Sequence, residues 1–339
     1  MSPKNKVYTG KIIVLAFPDT FVQFSHEKVA RLLPLVGLGR KGIIKAGHAA
    51  FILIENKTGN AFYYDFGRYI TPFRYGRVRS AETDVELHIP FKAEVNESGK
   101  LENLNEFLLW LEAHPEKTHG NGRLIASVCS YIDFQKAFDF VTSLQDQGSI
   151  LYYTFKKKGT NCSRIVTDTI LAATQEVRII KPLLRNKKFT PSPLGNVEKG
   201  SMGSPIYKVE NGSISHYNNK VLKENITNYF KRQKEQQNEN SVEKSQEIRP
   251  ASGSKQLLTG IGSSAYFEIC PTPTTDKFII KRYTDTLIKD FEGIFIPDAT
   301  FFIEEPYEFT YDSHCKYCHI IQKEKTIKFN RESILFPIN

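Results

Sequence analysis

Two apolar runs rich in β-formers, His48 to Ile54 and Ala61 to Phe66, flank the polar stretch Glu55 to Asn60, which contains Thr58-Gly59. That arrangement reads as a β-hairpin, and no other feature restricts the fold as strongly. Pairs counted outward from a loop of two or six residues put even positions of the first strand on one face with odd positions of the second. His48 opens the first strand and Asp65 closes the second, so they share a face, offset by one or two pairs and diagonal neighbours in the closer register. A carboxylate so placed fixes the tautomer of an imidazole and stabilises its protonated form. That is the orienting role in nucleophile–base–orienter triads.

A nucleophile for such a pair stands at Asn161-Cys162-Ser163-Arg164-Ile165-Val166, behind a tract that reads as the end of a strand. Ile165, Val166, Thr169 and Ile170 recur at helical spacing, so Asn161 reads as an N-cap and Cys162 as the first helical residue. The positive end of the helix dipole and a nearby imidazolium both favour a thiolate. Backbone N–H groups at a helix start can also receive the oxyanion of a tetrahedral intermediate. The expected catalytic set is therefore Cys162, His48 and Asp65. Asn161 and the arginines that follow the Asp65 strand, Arg68, Arg77 and Arg79, are the substrate-binding candidates, since guanidinium groups grip carboxylates in bidentate fashion. A solvated basic loop is the plainer reading of those arginines.

Gly47-His48 at a strand start, Asp65 closing the next strand, Tyr152-Tyr153-Thr154-Phe155 and Asn161-Cys162 at a helix start resemble the circularly permuted papain-like hydrolases. These are the relatives of the NlpC/P60 and lecithin:retinol acyltransferase groups, in which the histidine precedes the cysteine. The resemblance covers about residues 8 to 180. The tracts Tyr64 to Tyr69, Gly76 to Asp84, Gly260 to Gly262 and Phe309 to Cys315 resemble a bacterial family of that superfamily with no assigned function. The resemblance implies a Cys-His-Asp hydrolase of amide or peptide bonds, acting on small peptides or the peptide stem of bacterial cell wall, with no cofactor. The acyltransferase branch carries a second histidine where Asp65 falls here, so acyl transfer between lipids does not carry over. The alternative from another class is a non-catalytic binding protein that keeps the scaffold.

The 339 residues suffice for two domains, and 40% hydrophobic with 24% charged residues is ordinary for a globular chain. A net charge of +9 favours anionic partners, but the Lys and Arg residues are scattered and no basic helix is interleaved with aromatics. A nucleic-acid partner is therefore not expected, and neither is a membrane, since no apolar run approaches the roughly 20 residues that span a bilayer. Ile12 to Phe17 reads as a first core strand rather than a signal peptide, so a cytoplasmic location is expected; signal-independent export would leave no trace. Five cysteines are too few and too odd in number for a disulfide framework.

The expected fold class is α+β: a permuted papain-like antiparallel sheet with packed helices, followed by a small all-β domain. The expected divisions are residues 1–185 for the hydrolase domain, 186–255 for an extension and linker, and 256–339 for the β-rich domain. Strands are expected at Lys11–Phe17, in the 48–66 hairpin and at Asp84–Pro90; helices at about Asn103–Ala113, Asp133–Gln147, Cys162–Ala173 and Val221–Arg232. The Pro, Gly and Lys content of Arg185 to Gly203 marks a boundary, and a hairpin is centred on Asn211-Gly212. Gln233 to Ser254 is polar throughout and reads as a flexible linker. Short strands follow to Phe329. Within them, His314-Cys315-Lys316-Tyr317-Cys318-His319 has the spacing of a metal or haem motif. Strand alternation would turn the two cysteines to opposite faces, so the segment reads as structural, with no metal.

Overall fold

The computed structural model describes residues 8–39, 42–156, 158–231, 249–250 and 255–336. The chain divides into two compact units, residues 1–66, 89–147 and 151–237 in the first and residues 67–88, 148–150 and 238–339 in the second. The expected linker, 233–254, lies outside the described residues except for Arg249–Pro250.

The first unit is built on β1 (Gly10–Phe17), whose eight residues are all buried. It pairs antiparallel with β2 (His48–Glu55) on one side and with β4 (Leu124–Ile132) on the other. β3 (Ala61–Gly67) completes the hairpin with β2, while β5 (Tyr207–Glu210) pairs with β4 and with β6 (Ser213–His216). The order is β6–β5–β4–β1–β2–β3. Burial of both faces of β1 explains its unbroken apolar run, Ile12 to Phe17, which has no alternation. The turn between β5 and β6 is Asn211-Gly212, with φ of 53° and 72°, the mirror-image turn that suits strand twist.

The helices of eight or more residues among the described residues of this unit are α1 (Leu104–Ala113), α2 (Phe134–Asp146), α3 (Cys162–Ala173), α4 (Val177–Lys187), α5 (Pro193–Gly200) and α6 (Val221–Tyr229). α3 packs on β2, and α5 packs on β1 and β4. One of these helices, α5, lies where composition pointed to a boundary. Ser192 caps α5 by accepting the Gly195 N–H at 3.0 Å, and Pro193 sits at its first position, where the missing N–H costs nothing. A Cβ on Gly200 would come within 3.1 Å of Val14 Cγ2, so the glycine that looked like loop punctuation allows close approach to β1. Residues 193–216 are thereby joined to the sheet of the first unit.

The second unit carries β7 (Gln256–Thr259), β8 (Ser264–Pro271), β9 (Phe278–Tyr283), β10 (Lys289–Pro297), β11 (Glu308–Thr310), β12 (Tyr317–Gln322) and β13 (Lys325–Phe336). They form an antiparallel sheet in the order β7–β8–β9–β10–β13–β12–β11. The Gln256 side chain donates to Phe309 O at 2.8 Å and accepts from Phe309 N at 2.6 Å, tying first strand to last in a nearly closed barrel. Its core is aromatic: Phe267, Phe291, Phe295, Phe309 and Phe329 are all at most 1% exposed. Mixed helix and sheet with a C-terminal all-β domain is thus the observed class. Asp84–Pro90 is not a strand. Thr83 N and Asp84 N both bond to Ser80 O, and a short 3₁₀ turn, Val85–Leu87, follows.

The two cysteines at 315 and 318 do not face opposite ways. Cys315 precedes β12, so strand alternation does not reach it, and both side chains enter the same apolar core. Burial pushes the Cys315 thiol up to about 12. Cys129, in β4, is likewise buried and pushed up to about 12 by desolvation.

Candidate active site

The β2–β3 register sets Ala50 opposite Asp65, which leaves His48 two positions beyond on the same face. His48 Nε2 lies 3.6 Å from Asp65 Oδ2, within ion-pair range and long for a hydrogen bond. Asp65 is fully buried, and Tyr63 Oη donates to its Oδ2 at 3.2 Å. On the β1 side, the His48 ring lies over Phe17, with centroids 6.3 Å apart and planes 26° apart. Gly47 turns the chain into β2 with φ of 77°, and a Cβ there would sit 3.0 Å from Phe17 O. A side chain at 47 would displace the histidine.

Asn161 caps α3 from extended backbone, and its Oδ1 accepts the Arg164 N–H at 2.9 Å. Its Nδ2 donates to Tyr153 O at 3.0 Å, so both ends of the side chain hold the loop and helix start. The approach to the cap is gripped from two sides. The buried Glu27 carboxylate accepts the N–H groups of Thr154, Phe155 and Lys156, and the Arg164 guanidinium donates to the carbonyls of Thr154, Lys156 and Gly159. From α5, Asn196 Nδ2 donates to Ser163 O at 2.6 Å while its Oδ1 accepts from Thr167 Oγ1 at 2.7 Å. Cys162 is thereby fixed at the first position of a helix that packs on the strand of His48.

The electrostatics of the pair follow from this enclosure. Burial by itself would lower His48, but the Asp65 carboxylate and the hydrogen-bonded Cys162 outweigh it and raise the imidazole to about 9. Burial would raise Cys162. The hydrogen bond and charge of His48 overcome that, aided by the Ala49 N–H and the Ser163 hydroxyl, so the thiol is lowered. Each group thus shifts the other, the thiol downward and the imidazole upward.

Beside Cys162 lies a cavity of about 350 Å³. No charged side chain is among the described residues that line it. Asn161 lines it, but Arg68, Arg77 and Arg79 do not. These three arginines belong to the second unit, where they are buried. Arg77 forms a bidentate pair with Asp84 at 2.6 and 2.7 Å. Arg79 stacks 3.9 Å over the Tyr69 ring, and the Arg68 carbonyl accepts from Ile261 N. Asp84 also holds Arg282, which reaches Glu86 and Asp290 as well. The carboxylates that these arginines were expected to bind in a substrate are, for Arg77, supplied by the chain itself.

Sequence reasoning missed Tyr63, Glu27, Asn196 and the Ala49 N–H. Only Tyr63 left a trace, two residues before Asp65 on the same strand face. Among the described residues no group of three or more His, Cys, Asp and Glu is arranged to hold a metal ion.

Residues 12–179 match the family described as type VI secretion system effector TseH-like. Residues 255–332 match a second family, described as the DUF6695 C-terminal domain. The first match takes in most of β1, the strands β2 to β4 and the helices α1 to α3, and the second most of the barrel. Among solved structures, the crystal structure of the type VI secretion system effector TseH is similar at 18% identity and a TM-score of 0.43. That similarity covers 63% of this chain and 100% of the TseH chain. No curated protein matches the chain.

Proposed function

We propose that the chain is a thiol hydrolase that cleaves an amide or ester bond through Cys162, His48 and Asp65, in the manner of the circularly permuted papain-like hydrolases. The observation that carries this is a thiol held down and an imidazole held up by each other at a helix N-terminus beside an open cavity. A non-catalytic scaffold has no need of that pairing. The Cys162 sulfur bonds to the acyl carbon, and the carbonyl electron pair moves to oxygen. Asn161 takes the N–H of Arg164 on its side chain and that of Ile165 on its carbonyl, leaving the N–H groups of Cys162 and Ser163 outside the cap to receive the oxyanion. The intermediate collapses as His48 gives its proton to the departing nitrogen or oxygen. Water then attacks the thioester with His48 as base, the acid leaves, and the thiolate is restored. Asp65, steadied by Tyr63, keeps the imidazole oriented.

The TseH-like match extends the reading to a hydrolase delivered by a type VI secretion system, acting on a component of the recipient cell. Of the arginines expected to hold the carboxylates of a cell-wall peptide, Arg77 has its own carboxylate partner in Asp84. Incubation with a panel of acyl amides and esters should give a mass increase on Cys162 equal to the acyl group, and Cys162→Ala should show neither adduct nor turnover. Equal turnover in wild type and Cys162→Ala would overturn the proposal.

A further inference from the structure

The cavity next to Cys162 is apolar in a way a peptide subsite is not. Leu33, Leu38, Ile44, Leu222, Ile226 and Tyr229 supply much of its wall. Several of the polar lining groups are turned to partners inside the protein. Ser25 Oγ donates to Glu27, Asn225 Nδ2 donates to Ser192 Oγ, and Ser192 Oγ accepts the Gly195 N–H. The Asn161 amide is spent on Arg164 N and Tyr153 O. A peptide brings one N–H and one C=O per residue that need partners on burial, whereas a hydrocarbon chain brings none. About 350 Å³ is within the range of small-molecule sites.

Gly39 N donates to Tyr229 O at 3.1 Å, which ties the 30–39 segment to the end of α6 and sets the two walls side by side. On these two segments Leu32, Leu35, Val36, Leu222 and Phe230 are each more than half exposed, Leu35 at 81%, and Leu222 also lines the cavity. Water-exposed apolar residues on segments that also line an apolar cavity mark a binding surface.

On the reading of Cys162 as the nucleophile, we propose that the substrate is an amphiphile whose long acyl chain fills this cavity, with the scissile carbonyl at Cys162 and the polar leaving group outside. The Leu32–Val36 and Leu222–Phe230 surface then receives the part of the chain that the cavity does not enclose.

N-alkyl iodoacetamides from methyl to octyl, used below their micelle concentrations on the full-length protein at pH 6, read this out as the rate of Cys162 alkylation. The thiolate displaces iodide in each case, so only the chain differs. Burial of each CH₂ should raise the rate up to about fourfold (about 0.8 kcal/mol) until the cavity is full, while glutathione shows no trend. Leu222→Gln, at a position 73% exposed and therefore tolerant of change, should flatten the slope. An iodoacetyl-Leu-Leu amide reacting faster than the octyl probe would assign the cavity to a peptide and overturn the proposal. A flat series with a reactive methyl probe would overturn the acyl chain and leave the hydrolase standing. Failure of the methyl probe at pH 6 would remove both.

Discussion

Replacing Glu27 by alanine should loosen the approach to the catalytic helix and lower the stability of the first unit by about 3 kcal/mol. Its carboxylate accepts from Thr154 N at 2.6 Å, Lys156 N at 2.8 Å and Phe155 N at 3.1 Å, besides Ser25 Oγ at 2.7 Å. Hydrogen bonds to a charged acceptor contribute about 1.5–3 kcal/mol each when buried. Thr154 and Phe155 are only half-buried and Lys156 is exposed, so water replaces part of each loss, and about 1 kcal/mol per N–H is the better figure. For a unit of about 200 residues that is a fall in Tm of about 6–12 °C. Glu27→Gln keeps one acceptor oxygen and should lose about half as much. Burial alone would raise the Glu27 carboxyl, but the Ser25 hydroxyl and the three N–H groups outweigh it and lower it. Its contribution is therefore fully present above the ordinary glutamate value of about 4.3 and is lost as pH falls through the lowered folded value. Thermal melts of wild type, Glu27→Gln and Glu27→Ala at pH 7 and pH 3 measure this, the difference between wild type and Glu27→Ala narrowing at pH 3. A melting point for Glu27→Ala within about one degree of wild type would refute the clamp.

Three other outcomes are expected. Asp65→Ala should cost about 10³-fold or more in kcat while leaving the fold intact; near-normal turnover would show that another group orients His48. Asp84→Ala strips the bidentate partner from Arg77 and one partner from Arg282, and breaking such a buried pair should destabilise the second unit by about 3–5 kcal/mol, read as faster amide exchange in β9 and β10. Unchanged exchange there would show the pair to be dispensable. Metal analysis of protein purified without chelator should give clearly less than one zinc per chain, unaltered by Cys315→Ser, since both thiols lie in an apolar core; stoichiometric zinc lost on that substitution would make the barrel a metal-stabilised domain.

What could be read from sequence was whatever rests on period and cap. The parity of the hairpin placed His48 and Asp65 on one face because the side-chain period of a strand is two, and the observed six-residue connection, Glu55 to Asn60, satisfies it. Asn161 announced α3 because few residues can cap a helix. What could not be read were contacts between elements distant in sequence. Arg77 and Arg79 follow the Asp65 strand directly, yet Arg77 turns to Asp84 and Arg79 to Tyr69, a choice local order does not reveal. Nothing around Glu27 indicated that it would meet residues more than 120 positions away. α5 was hidden because proline and glycine serve both as loop punctuation and as helix start and close-packing residues.

The central claim is the Cys162–His48 ion pair, and the pH dependence of Cys162 carboxymethylation by iodoacetamide tests it most directly. An ordinary thiol near 8.5 is only about 0.3% thiolate at pH 6, so a fully ionised Cys162 gains about 300-fold in nucleophile. Lower basicity returns about threefold for each unit by which the thiol is lowered, so the net gain is smaller than that. Wild type should therefore react faster at pH 6 than an ordinary thiol and hold a nearly level rate between pH 6 and 8, below the raised His48 value of about 9. His48→Ala should be almost inert at pH 6. A wild-type rate that climbs tenfold per pH unit between 6 and 8, and that His48→Ala leaves unchanged, would contradict the account.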